Sequence, residues 1–189
     1  MAEIDHSQHI KIIQGLRAEN ISARTLRKPL VGNLDGSIKK NTSFIKKLKA
    51  GITSASVETL SKELCGLKLE KYIEEIADAI ALAQYKQTQD VMAAVRICSI
   101  LHQRNPGFTE MFMPLLMRQF ELAPAPSAII SEQKEREEFA RISKQRNLLR
   151  FLIELYLVGF AIENYDGKQK EELVPGVLNE LVIRIDKFS

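Results

Sequence analysis

The chain has 189 residues, with 27 Lys or Arg against 24 Asp or Glu and a net charge of +3. That length suits one domain with a real hydrophobic core, and two cysteines in helical-looking segments exclude a small disulfide framework and fit a reducing compartment. No basic stretch followed by an apolar run opens the chain, and no run approaches the roughly 18 apolar residues of a membrane span, so a soluble cytosolic or nuclear protein is expected.

The charge is unevenly spread. Residues 1–50 hold ten Lys or Arg against four Asp or Glu, and the rest of the chain 17 against 20. The basic end points to a polyanionic or acidic partner there.

Glycine and proline are sparse, and apolar residues recur at three and four, so helices are predicted throughout and no strand. Residues 4–19 place Ile10, Ile13 and Leu16 at helical spacing, with Asn20 as a stop. Pro29, Gly32, Asn33 and Gly36 then mark an irregular connection to about Asp35. From Ser37 to Ala50, Ile38, Phe44, Ile45 and Leu48 share one arc, while Lys39, Lys40, Lys46, Lys47 and Lys49 fill the other. Gly51 is placed to end this helix, and Ser54 or Ser56 to cap the next, which runs to about Cys65 on Val57, Leu60 and Leu64.

A helix is expected from Glu70 to about Tyr85, facing inward through Ile73, Ile76, Ala77, Ile80 and Ala83. Thr88 suits the N-cap of another, which runs to about Arg104 on Val91, Ala94, Val95, Cys98 and Leu101, with Asp90 favourable in its first turn. Asn105-Pro106-Gly107 breaks the chain, and residues 108–121 resume helical spacing, with Pro114 kinking that helix or lying near its start. The prolines of residues 122–126 interrupt the pattern. The charged residues 132–146 then feed the apolar residues 148–162, as one long helix entering the core. Asp166-Gly167 turns into a last helix, about residues 170–188, with Pro175 in its first two turns.

The expectation is an all-α fold of about eight helices joined by short loops, as a bundle or as stacked antiparallel helix pairs. Periodicity alone does not choose between them.

The candidate sites are few. The five lysines, Lys39, Lys40, Lys46, Lys47 and Lys49, are candidate contacts for RNA or an acidic partner, although the same residues also read as an ordinary solvated face without aromatic stacking platforms. His6 and His9 lack a third metal ligand nearby, and His102 reads as closing a helix end or bonding a neighbouring loop. Cys65 and Cys98 read as small core residues. Glu70, Glu74, Glu75 and Asp78 read as a solvated helix face. The mixed charges of residues 132–146 read as a solvent-bridging helix, a disordered loop or, in a repeat scaffold, a docking element. No catalytic, cofactor or metal site is predicted, and no enzymatic activity.

Four blocks carry a family resemblance: residues 34–49 (LDGSIKKNTSFIKKLK), 66–73 (GLKLEKYI), 94–104 (AVRICSILHQR) and 149–159 (LRFLIELYLVG). They resemble the first middle domain of the up-frameshift-two family of nonsense-mediated mRNA decay, a middle domain of the initiation factor 4G type. The resemblance implies HEAT-like stacked helix pairs over residues 34–189, preceded by an N-terminal helix and connection over residues 1–33. It also implies a non-catalytic scaffold in mRNA surveillance, which in this family bridges up-frameshift one and up-frameshift three through other parts of the full-length protein. A cytoplasmic location, perinuclear or shuttling to the nucleus, is implied as well. Such a domain has about five helix pairs, so eight helices suggest a partial or shortened one. The alternative is an RNA-binding module using the basic helix Ser37 to Ala50.

Overall fold

The computed structural model describes residues 6–26, 34–85, 87–120 and 132–160. Among them are seven α-helices: α1 (His6–Thr25), α2 (Ile38–Ala50), α3 (Val57–Gly66), α4 (Ile73–Ala81), α5 (Thr88–Arg104), α6 (Phe108–Met117) and α7 (Glu132–Leu157). They match the first seven predicted helices in order. The expected interruption at residues 122–126, the turn at Asp166-Gly167 and the helix over residues 170–188 lie outside the described residues.

Helix contacts sort the elements into two layers. α4 packs against α2 and α6, while α5 packs against α3 and α7. With α2 also touching α3, and α5 touching α6, successive helices alternate between layers, which is the arrangement of stacked helix pairs. Their shared core is built from Phe44, Leu48, Leu64, Ile76, Ile80, Ile97, Leu101, Phe112, Leu116 and Phe151, all essentially inaccessible to water. α5 is the central rod, buried along Val91, Ala94, Val95, Cys98 and Leu101, the residues its spacing predicts.

Several local expectations are corrected. α1 does not end at Asn20 but continues to Thr25, with Asn20 fully buried. Ile13 and Leu16 pack on the core, whereas Ile10 is 52% exposed. Ile38 leaves the apolar arc of α2 and is 70% exposed, and the inward position one turn later goes to Asn41, whose amide donates to the Lys68 carbonyl at 3.1 Å. Gly51 does end α2, at φ 121°, a backbone region open to glycine.

Ser56 is the N-cap residue of α3, as expected, but its side chain makes no cap bond to the helix. Thr53 and Ser56 form a reciprocal pair: the Thr53 amide donates to Ser56 Oγ at 3.0 Å, and the Ser56 amide to Thr53 Oγ1 at 3.2 Å. The predicted helix from Glu70 begins as a 3-10 turn, Glu70–Tyr72, and α4 ends at Ala81, short of Tyr85. Tyr85 instead folds back, and its hydroxyl donates to the Ile80 carbonyl at 2.8 Å. Thr88 is the first residue of α5 rather than its cap. α6 holds Pro114 in its interior and stops at Met117. The irregular residues 34–36 hold the only bridge pairing among the described residues: Asp35 pairs with Leu67, its amide donating to the Gly66 carbonyl at 2.9 Å.

Candidate functional site

The lysine face of α2 is where charge and exposure coincide. Phe44, Ile45 and Leu48 are buried, so the helix must present its other side to water, and all five lysines are exposed. At about 100° per residue, Lys39 and Lys46 fall nearly in line, opposite Leu48, with Lys49 toward one flank. Lys40 and Lys47 fall together about a quarter-turn round, on the other flank.

That flank faces acids the spacing of α2 could not reveal. Lys40 Nζ lies 2.5 Å from Asp35, and Lys47 Nζ 2.5 Å from Glu63 of α3. Asp35 is itself fixed, accepting the Ser37 amide at 2.9 Å while its backbone pairs with Gly66 and Lys68. Hydrogen bonds from Lys40 and then from Ser37 hold the Asp35 carboxyl well below the usual carboxylate range, and the same contact raises the Lys40 ammonium above its ordinary value. Asp35, Lys40, Ser43, Lys47, Lys62 and Glu63 line a shallow cleft of about 330 Å³ between α2 and α3. Lys39, Lys46 and Lys49 have no acidic partner among the described residues. The five lysines thus divide into two committed to neighbouring elements and three open to solvent.

The remaining candidates resolve as structural groups. His9 of α1 places Nε2 3.4 Å from the buried Glu154 of α7, which Arg150 also approaches at 3.6 Å. His6 is described in its backbone only. His102 does bond neighbouring elements, meeting Thr109 Oγ1 at 2.7 Å and the Asn20 carbonyl at 3.3 Å. A carbonyl only accepts, so Nε2 donates to Asn20, and in the neutral ring Nδ1 then accepts from the Thr109 hydroxyl. Cys98 is buried, and burial pushes its thiol up. Cys65, expected in the core, is exposed: it follows Leu64 by one residue and so turns away from the face α3 buries. Glu70, Glu74 and Glu75 face solvent, with Asp78 half-buried. No cluster of three metal-ligating side chains occurs among the described residues.

Residues 132–146 are helical, as the first part of α7. A cleft of about 610 Å³ opens beneath that part, between Phe139, Lys144 and Asn147 and the turn Leu82 to Tyr85. Asn147 closes one end by donating to the Tyr85 carbonyl at 2.6 Å.

The polar hub at Asn20 was missed in the sequence. Its amide donates to Ser99 Oγ at 3.1 Å and to the Val158 carbonyl at 2.9 Å, while its Oδ1 accepts from Gln103 at 2.9 Å. Arg17 and Arg24 add bonds to the Leu157 and Gly159 carbonyls. Three side chains of α1 thus bond the carbonyls of Leu157, at the end of α7, and of Val158 and Gly159 in the turn after it. The available signal was spacing: Ile13, Leu16, Asn20 and Ala23 form one stripe.

Helices that alternate between two layers, with a lysine-rich face on α2, define a helical-repeat domain. Residues 38–166 match the model of the MIF4G domain. The chain is 40% identical over 157 residues to "Nonsense-mediated mRNA decay protein 2" of Saccharomyces cerevisiae, covering 81% of this chain and 14% of that protein. It is 37% identical over 146 residues to "Regulator of nonsense transcripts 2" of Homo sapiens, covering 76% and 10%. The N-terminal mIF4G domain of S. cerevisiae Upf2 superposes with a TM-score of 0.68 at 34% identity, over 86% of this chain and 51% of that one. The first MIF4G domain of human UPF2 gives 0.64 at 35% identity, over 79% and 45%. The chain belongs to the MIF4G family, and over most of its length it is similar to the MIF4G domains of these nonsense-mediated decay proteins. It spans between 10% and 14% of the length of the curated relatives it matches.

Proposed function

We propose that this domain is a non-catalytic scaffold in nonsense-mediated mRNA decay, holding interaction surfaces in a fixed arrangement within a longer protein. The observation that carries the reading is the joint match of sequence and fold to the first middle domains of decay proteins, at a TM-score of 0.68 and 34% identity. Its core supports it: stacking of α2 to α7 through shared buried side chains holds the surface residues in a fixed arrangement. The decay factors up-frameshift one and up-frameshift three are the partners, reached through other parts of the full-length protein. The cytoplasm, with perinuclear or shuttling pools, is the place of action. Co-precipitation of the full-length protein tests this, with nuclease added to remove bridging RNA. Recovery of both decay factors is expected, and recovery of neither would refute the reading.

A second reading, direct RNA binding by α2, is favoured by one observation: Lys39, Lys46 and Lys49 are exposed without an acidic partner among the described residues. Such ammonium groups act as point charges toward phosphates. Titration of the chain with single-stranded RNA over a range of salt tests it, because phosphate-driven binding weakens steeply as salt rises.

A further inference from the structure

Ser43 occupies a particular place on α2. Its four neighbours at one helical turn, Lys39, Lys40, Lys46 and Lys47, are all lysines. The serine is exposed and short, so the side chains of Lys39 and Lys46 can converge over its hydroxyl, while Lys40 and Lys47 are held by Asp35 and Glu63. The adjacent Thr42 hydroxyl donates back to the Ile38 carbonyl at 2.8 Å, whereas Ser43 has no such bond among the described residues. Its O–H is a donor facing water between cations.

We propose that Ser43 is the centre of a seat for one backbone phosphate of single-stranded RNA. The inference rests on the second reading above and gives it an address. Lys39 and Lys46 supply the free charge on one side of the hydroxyl. Lys40 and Lys47, held by Asp35 and Glu63, form the other wall at fixed positions. Lys62, which lines the same cleft, adds a further cation beyond them. The contact is made to phosphate and not to bases, since Phe44, the one aromatic residue of α2, is buried and leaves the exposed side of the helix without a stacking platform. Arginine is absent from α2, so the planar fork that grips a carboxylate in two bonds is missing, which favours phosphate over an acidic peptide.

Fluorescence anisotropy with a labelled oligouridine, between about 50 and 200 mM salt, tests the seat. Ser43→Asp puts a carboxylate where the phosphate would sit, and its i±3 and i±4 lysine neighbours preserve the helix, so the melting temperature is unchanged or raised. Its affinity falls at least about tenfold, while Ser143→Asp, the same change on α7, leaves binding as in the unaltered chain. Lys39→Gln with Lys46→Gln makes the slope of log affinity against log salt shallower by about 0.7, the share of one lost phosphate contact. If Ser43→Asp binds RNA as tightly as Ser143→Asp, the seat is overturned while RNA binding elsewhere on the chain stands. No binding by the unaltered chain at low salt overturns the second reading itself. Polyglutamate binding as tightly as the RNA overturns the choice of phosphate.

Discussion

Asn20 and Val158 lie 138 residues apart in sequence and are joined by a 2.9 Å hydrogen bond from the buried side-chain amide to the backbone carbonyl. The carbonyl belongs to the turn that ends α7, so α1 completes a helix terminus that its own sequence neighbours do not reach. Replacing Asn20 with Ala leaves that carbonyl and Ser99 Oγ without their donor inside the protein. Asn20→Ala is expected to cost about 1–3 kcal/mol. Hydrogen exchange is expected to quicken along α1 and at residues 157–160 before it quickens in α5. Uniform exchange across all helices would contradict a local role for Asn20.

Phe151 meets Tyr85 edge-on at 5.0 Å and Phe112 at 6.0 Å, linking α7, α6 and the turn before α5. Phe151→Ala opens a cavity that rigid helix stacking cannot close, at a cost of about 3–5 kcal/mol. Urea denaturation measures it, with Phe151→Leu expected to lose clearly less.

Asp35 gives the fold an acid-sensitive contact. Its folded-state pKa is depressed, so its contribution is present above the ordinary value of 3.8 and fades as pH falls below it. The raised Lys40 places the opposite limit: that contribution is present below 10.5 and is lost above. Asp35→Asn is therefore expected to lower the urea midpoint at pH 6 to 8, with the gap to the unaltered chain closing as pH drops below about 4. A gap independent of pH would show that Asp35 acts through backbone geometry alone.

The two cysteines should differ in reactivity. Cys65 is exposed, while Cys98 is buried with its thiol pushed up. An aromatic disulfide reagent is expected to titrate one thiol per native chain quickly and the second only on unfolding, because attack needs access and thiolate. Cys65→Ser should abolish the fast phase.

Much of the fold was legible because helical spacing is local. Leu60 and Leu64 of α3, or Val91 through Leu101 of α5, announce a buried stripe without knowledge of what covers them. The edges of such stripes were not legible. Ile10 and Ile38, in the first turns of α1 and α2, are exposed, and Cys65 was assigned to the core by residue type when its angular position faces outward. Asn20 shows the converse: a residue that commonly ends helices was buried in one, because distant carbonyls supplied what water otherwise would. At the candidate site, the lysines themselves were evident. Their division was not, since Glu63 reaches Lys47 only after α2 and α3 have packed.

α7 is 26 residues long, about 39 Å of helix. Its buried side chains begin at Leu148, so the first fifteen or so residues, about 22 Å, extend from the gripped portion. The geometry is that of a lever with a fixed fulcrum near Asn147. By length alone, a tilt of about 10° there would sweep the Glu132 end through roughly 4 Å.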